Sequence, residues 1–232
     1  PRASRTMPFV AKVTGNQIIK AGTLLMLGYS IDEVRNKTKY LSSSSNKVAI
    51  KKAIFPWSRF PAEDTMLGPE MKATGEVLGV GKEFGTALNK AYAAAGVEIN
   101  NKEKGIFVTL SDSEKPNFIK TVNKYLELGF TLYSTEGTGK FLKTNGIDSV
   151  IVGKADDLGQ TSLTIIEDKL VSLVINTPTY ANELSDGWKI RRLSHETGVA
   201  VVSSVREADA FIEAFLNQNL VLDDLEVIQD VS

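Results

Sequence analysis

Three stretches of this sequence could do chemistry together: Thr109-Leu110-Ser111, Ser134-Thr135-Glu136-Gly137-Thr138-Gly139, and Asn176-Thr177-Pro178-Thr179. In each, an apolar run gives way to hydroxyls, small residues or an amide. Gly137 and Gly139 would let a backbone approach an anion, and Thr135 and Thr138 would donate hydroxyl hydrogen bonds beside the positive end of a helix dipole. Lys115 and Lys154 stand near enough in sequence to supply positive charge. By composition these are oxyanion cradles. Taken one at a time, such residues are more simply helix caps; three such turns converging on one edge of a parallel sheet favour a phosphate pocket.

The chemistry that is missing narrows the class. There is no cysteine, which excludes disulfides, zinc-thiolate sites and cysteine nucleophiles. The single histidine, His195, excludes a histidine metal cluster and leaves no Ser-His-Asp order to propose. It stands in Arg191-Arg192-Leu193-Ser194-His195 on a predicted helix, where a lone histidine is ordinarily structural or exposed. Asp156-Asp157 and Asp223-Asp224 are adjacent carboxylates that point apart in any regular element; they read as solvated loop charge, the first pair being a weak candidate for pocket lining. Lys51-Lys52 reads as a solvated strand edge. Trp57 and Trp188 read as packing anchors rather than base-stacking platforms, so no nucleic-acid partner is expected.

The elements that must position the three turns follow from length and pattern. At 232 residues, with 42% hydrophobic and 24% charged, the chain has the usage of one large or two small globular domains. From 104 onward, short apolar runs alternate with helical patterns. Strands are expected at Gly105 to Leu110, Phe130 to Ser134, Ser149 to Val152, Leu170 to Ile175 and Val199 to Val202. Helices are expected at Glu114 to Leu128, with Phe118, Val122 and Leu126 in a stripe, at Gly137 to Thr144, and at Arg206 to Asn217, with Ala210, Phe211, Ala214 and Phe215 on one side. That alternation implies parallel βαβ units, hence a doubly wound α/β domain from about residue 97.

The first part is less legible. Thr14 to Leu27 reads as one helix, Ser42 to Asn46 as a loop, Val48 to Phe55 as a strand and Phe84 to Ala95 as an alanine-rich helix. The glycine-rich stretch Leu67 to Gly81 does not read as one regular element. Charge divides the same way: Pro1 to Gly96 carry 14 Lys and Arg against 7 Asp and Glu, while Val97 to Ser232 carry 13 against 21. A basic block favours phosphate or nucleic-acid partners, and equally suits a surface facing an acidic neighbouring domain. No apolar run approaches the ~20 residues of a membrane span and no signal peptide opens the chain, so a cytoplasmic protein is expected. The first methionine is Met7, which suggests a processed chain or one cut from something larger.

Two runs carry a resemblance. Pro1-Arg2-Ala3-Ser4-Arg5-Thr6-Met7-Pro8-Phe9-Val10 resembles the end of the second ATP-grasp unit of the carbamoyl phosphate synthetase large-subunit family, and Leu67-Gly68-Pro69-Glu70-Met71-Lys72-Ala73-Thr74-Gly75-Glu76-Val77-Leu78-Gly79 is close to a signature of that family. The likeness covers essentially the whole chain and continues into the methylglyoxal-synthase-like regulatory domain that closes such subunits. It implies an α/β chain in two parts: residues 1–96, a partial α+β ATP-grasp tail of the carbamate-phosphorylating domain, and residues 97–232, a doubly wound, methylglyoxal-synthase-like allosteric domain.

The resemblance assigns roles residue by residue. Arg2 and Arg5 resemble the two arginines that hold phosphoryl oxygens and carbamate; guanidinium forks suit that task. The family's magnesium ligands and ATP lysines precede Pro1, so the chain alone is expected to be inactive and to hold no metal or cofactor, while the parent enzyme uses ATP with Mg or Mn. Thr109, Lys115, Thr135, Thr138, Lys154, Asn176, Thr177 and Asp186 match positions lining the effector site, where a purine or pyrimidine monophosphate such as uridine monophosphate binds. Pro178 departs from a threonine common in uridine monophosphate binders, which removes a hydroxyl and a backbone donor. Lys52 stands where ornithine-activated members need a carboxylate, with Val201 and Ser203 at the accompanying tyrosine and threonine positions. A cation facing a cation argues against ornithine.

The parent enzyme so implied is a cytoplasmic ATP-dependent ligase of pyrimidine and arginine biosynthesis, making carbamoyl phosphate from bicarbonate, glutamine-derived ammonia and ATP. Its expected partners are the rest of the large subunit, a glutaminase small subunit, the nucleotide effector and a possible second copy, with no membrane. The junction Gly75 to Gly96 is the expected conduit between effector and catalysis. Two other readings stand beside this one: an oligomerisation module with a vestigial pocket, and a methylglyoxal-synthase-type lyase. The lyase requires histidines that Thr109-Leu110-Ser111 does not supply.

Overall fold

The computed structural model describes residues 4, 6–38, 47–55, 75–97, 99, 105–177 and 185–217. The N-terminal part folds as helices α1 (Thr6–Thr14), α2 (Ile18–Met26) and α3 (Ile31–Lys37), strands β1 (Val48–Ile54) and β2 (Gly75–Gly81), and helix α4 (Phe84–Ala94). The helix expected over 14–27 is α2, four residues shorter at its start, and α1 before it was not expected. Gly15 takes φ 67 and the Thr14 hydroxyl donates back to the Val10 carbonyl at 2.8 Å, ending α1 before α2 begins. Helix α3 carries an unread signal, the spacing Ser30-x-x-Glu33. Glu33 N–H donates to Ser30 Oγ at 3.4 Å, and Ser30 N–H donates to Glu33 Oε2 at 2.8 Å.

Strands β1 and β2 pair antiparallel, Val48 opposite Gly81 and Ile54 opposite Gly75. The glycine-rich stretch is therefore regular over 75–81, and the reason is close packing. A Cβ on Gly79 would come within 2.5 Å of the Ala91 amide nitrogen, and one on Gly81 within 2.9 Å of that of Ala87. The glycines let α4 lie directly on the strand.

The second part comprises β3 (Gly105–Thr109), α5 (Lys115–Glu127), β4 (Leu132–Thr135), α6 (Glu136–Thr144), β5 (Val150–Val152), α7 (Thr164–Glu167), β6 (Val171–Asn176), α8 (Asp186–Thr197), β7 (Ala200–Val202) and α9 (Val205–Leu216). The five strands form one parallel sheet in the order β5-β4-β3-β6-β7. From β3 the chain winds outward through β4 and β5, then crosses to the other side of β3 for β6 and β7. This is the expected doubly wound α/β sheet, with its switch of direction between β3 and β6.

Each face of the sheet buries its own core. On one face Ile106, Val108, Leu173 and Ile175 pack with Phe118, Val122 and Tyr125 of α5, Leu142 of α6 and Phe211 and Phe215 of α9. On the other, Phe107 and Val174 pack with Ile165 and Ile166 of α7 and Ile190 of α8. Alternation along β3 and β6 sends successive side chains to opposite faces, as strands covered on both sides require. In α5 the buried stripe is Phe118, Thr121, Val122 and Tyr125, whereas Leu126 is 37% exposed.

The two parts share a core. Leu88, Ile50 and Tyr92 belong to the same apolar cluster as α5 and α9. A Cβ on Gly85 would strike the Glu213 carbonyl, and Asn89 Nδ2 donates to the carbonyls of Ala214 and Asn217 at 2.8 and 2.9 Å. Helix α4 is thereby clamped onto the last helix. No described helix is long and apolar enough to cross a membrane.

Candidate functional site

A cavity of about 640 Å³ opens beyond the carboxyl ends of β3, β4 and β5. Its location follows from the winding, since that end of a parallel sheet gathers helix N-termini and free amides. Strands β4, β3 and β6 are neighbours in the sheet, so the three hydroxyl-rich exits meet there.

Threonine hydroxyls lace the exits together. Leu110 N–H donates to Thr138 Oγ1 at 3.1 Å, joining the β3 and β4 exits. Ser111 N–H donates to Thr177 Oγ1 at 2.7 Å and Thr177 N–H donates to the Thr109 carbonyl at 3.1 Å, joining β3 to β6. Thr138, Asn176 and Thr177 are all buried. They hold the cradle in shape from beneath it. Of the eight effector-site candidates, Thr109, Thr135, Lys154 and Asp186 line the cavity itself. Lys115 is not in that lining; its ammonium donates to Asp112 at 2.6 Å and holds that exposed carboxylate below its usual range.

Helix α6 presents its N-terminus to this space. Thr135, its N-cap, accepts from no first-turn amide; its hydroxyl instead donates to Thr138 Oγ1 at 3.3 Å. The first-turn amides thus lack a side-chain cap, which is the arrangement an anion would complete. Gly137 lines the cavity and a Cβ there would meet nothing within 4 Å. Gly139 has a different purpose from the expected anion approach. A Cβ there would come within 2.7 Å of Ser134 Oγ and 3.0 Å of the Ile151 side chain, so it seats α6 on β4 and β5.

The charged wall is mixed. Lys140 donates to Glu136 at 2.6 Å, and this bond, with the nearby Lys154 charge adding less, holds the Glu136 carboxyl below its usual range. Lys154 N–H donates to Asp157 Oδ2 at 2.7 Å, fixing the turn that carries the Lys154 side chain. Asp157, the weak candidate, does line the cavity, while Asp156 accepts from Lys189 at 2.8 Å, tying the loop after β5 to α8. No hydrogen bond or ion pair occupies the Lys154 ammonium among the described residues, which leaves it as the cation open to a ligand.

Sequence reasoning missed several contributors, Lys140, Gly187 and Ile190 of the cavity wall among them, and two more bear on the site's chemistry. Arg191 is buried, and its Nη1 donates to Asn176 Oδ1 at 2.8 Å, so a guanidinium orients the amide under the cavity floor. Ser162 stands in the cavity wall. Nothing in its surroundings in sequence sets it apart from a helix-capping serine. Arg2, Arg5, Trp57, Pro178, Thr179, Asp223 and Asp224 lie outside the described residues.

A second polar cluster bridges the two parts. Lys52 of β1 sits with its ammonium 4.0 Å from the centre of the Tyr92 ring, and burial pushes its pKa down while Glu207 opposes that. Glu207 accepts from Ser203 N–H at 2.9 Å. Burial, then Lys52, Arg192 and Arg191, hold the His195 imidazole down to about 4, so it is neutral near pH 7. Lys52 is thus a packed, aromatic-seated cation rather than a solvated edge charge.

Residues 117–203, which carry most of the cavity, match the family described as MGS-like domain. The parallel-sheet unit is an MGS-like domain. Over 92% of its length the chain is 37% identical to the carbamoyl phosphate synthase large chain, C-terminal section, of Aquifex aeolicus, and 36% identical to that of Methanocaldococcus jannaschii. Over 99% of its length it is 33% identical to the carbamoyl phosphate synthase large chain of Nostoc sp.. The chain spans 42%, 36% and 20% of these relatives. The whole chain, with its MGS-like domain, is therefore homologous to the C-terminal section of such large chains. Among the described residues no three His, Asp or Glu gather as a metal-holding group.

Proposed function

We propose that the MGS-like domain is the effector-sensing end of a carbamoyl phosphate synthase large chain and that its cavity takes a nucleoside monophosphate of the uridine monophosphate type. One arrangement carries this reading: the first turn of α6 without a side-chain cap, beside Lys154 and at the mouth of a cavity sized for a small molecule. Phosphate would sit against the α6 amides and the Lys154 ammonium. Asp186 would accept from hydroxyl or N–H groups of the remaining ligand.

In the whole enzyme this domain would bias ATP-dependent synthesis of carbamoyl phosphate from bicarbonate and glutamine-derived ammonia, in the cytoplasm and together with the rest of the large chain and a glutaminase subunit. Residues 1–96 would be the tail of the carbamate-phosphorylating domain and 97–232 the regulatory domain. Arg2 and Arg5 would contribute to the carbamate-phosphorylating site, and Lys52 in its aromatic seat supports a member unresponsive to ornithine.

The test is calorimetric titration of the protein with uridine monophosphate, inosine monophosphate, ornithine and inorganic phosphate. Lys154→Ala is expected to weaken nucleotide binding by about ten- to a hundredfold, the range of a charge-assisted bond. Thr138→Ala is expected to weaken it indirectly by releasing the Leu110 amide. Absence of binding by any nucleotide refutes the effector role and leaves the oligomerisation reading ahead.

A further inference from the structure

Among the described residues two buried side-chain atoms have no hydrogen-bond partner: Asn89 Oδ1 and Ser162 Oγ. Asn89 belongs to the α4–α9 clamp, where its amide nitrogen is doubly engaged. Ser162 is only 1% exposed, yet it forms part of the cavity wall. We infer that Ser162 is a specificity-determining residue, whose hydroxyl reads the polar edge of the ligand's base. The inference deepens the nucleotide reading above and rests on it.

Three observations converge. First, the backbone around Ser162 is fixed without help from its hydroxyl. Ser162 N–H donates to the Gly153 carbonyl and Gly153 N–H to the Gln160 carbonyl, both at 3.0 Å. Thr161 and Thr164 cap one another reciprocally at 2.9 and 3.2 Å. Alanine would satisfy this segment equally well, so the fold gives no reason for a hydroxyl here. A buried hydroxyl without a partner is a liability in the empty protein that a bound ligand would relieve.

Second, Ser162 lies across the sheet from the phosphate cradle. Helix α6 belongs, through Leu142, to the core on one face of the sheet, whereas α7, which follows Ser162, belongs with α8 to the core on the other. A ligand with its phosphate on the α6 amides extends its far end toward the α7–α8 side. Third, that side offers Ile190 in the same wall. An apolar surface beside one hydroxyl suits a planar base, with a face to bury and an edge to hydrogen-bond. Serine both donates and accepts, and with no bond to break it turns about χ1 to meet the ligand.

The experiment titrates uridine monophosphate and ribose 5-phosphate, which has no base, into the wild type and Ser162→Ala, and compares ligand-free melting temperatures. Ser162→Ala is expected to weaken uridine monophosphate about tenfold, to leave ribose 5-phosphate within about twofold, and to leave the melting temperature unchanged or raised. Unchanged uridine monophosphate binding overturns the assignment and spares the nucleotide reading. Equal weakening of both ligands also overturns it, placing the hydroxyl on the phosphate or ribose, and a lowered melting temperature makes Ser162 structural. A wild type that binds neither ligand overturns the nucleotide reading and this assignment together.

Discussion

Because His195 is the only histidine, its titration can be followed alone. Burial and the cations Lys52, Arg192 and Arg191 lower its pKa from 6.5 to about 4, which means that the native state rejects a proton the unfolded chain accepts. Above pH 6.5 neither state is protonated at this site, and the shift has no effect on stability. As pH falls through 6.5 the unfolded chain gains a proton and the native state does not, so stability declines until the native imidazole is itself protonated near 4. A shift of that size corresponds to about 3 kcal/mol. Urea unfolding of wild type and His195→Gln between pH 7.5 and 4 isolates the effect, since the carboxylates titrate in both. The stability of wild type relative to the variant is expected to fall by about 3 kcal/mol across that range. Proton NMR of the imidazole is expected to give a midpoint near 4, and Lys52→Met should raise it. A midpoint at 6 or above, or a stability difference independent of pH, refutes the burial of His195 among these cations.

Two substitutions on α6 should part company. Gly139→Ala is expected to destabilise by about 1–3 kcal/mol, because its Cβ collides with Ser134 and Ile151, whereas Gly137→Ala, in open space on a helix, should be neutral or stabilise by up to about 1 kcal/mol; thermal melts of both decide. Asn89→Ala is expected to cost about 2–3 kcal/mol in chemical unfolding, since it strands the carbonyls of Ala214 and Asn217. An effect on nucleotide affinity from Gly139→Ala but not from Asn89→Ala would further separate the cradle from the clamp.

The parallel-sheet unit was legible because its strands are continuous apolar runs and its helices are periodic. Those patterns reach the observed elements to within a residue or two, as at Leu170 to Ile175 for Val171–Asn176. The convergence of Thr109, Thr135 and Asn176 at one end of the sheet followed from parallel winding alone. What sequence could not separate was a hydroxyl that faces the cavity from one that laces the turns beneath it. Thr135 and Thr138 are three residues apart on one helical turn, yet only the first lines the cavity. The strand at Gly75–Gly81 was hidden for a related reason. Glycine weakens a strand locally, and only the approach of α4 explains why it is used there.

An effector acts only by binding one arrangement of the molecule better than another, so some element must touch both the cavity and the rest of the chain. The expected conduit was the junction from Gly75 to Gly96. The structure adds helix α8. Its N-terminal half supplies Asp186, Gly187 and Ile190 to the cavity wall, Arg191 in its middle orients Asn176 under the floor, and its last turn carries His195, which feels the charge of Lys52 on β1. Twelve residues at 1.5 Å rise make this a rod of about 18 Å. A ligand that drew Asp186 and Gly187 inward would also move His195 relative to the charge of Lys52, which sits over the Tyr92 ring of α4, the helix pinned to β2 by the glycines. Under the proposed effector role, α8 and the Lys52 charge then couple the cavity to the N-terminal part electrostatically.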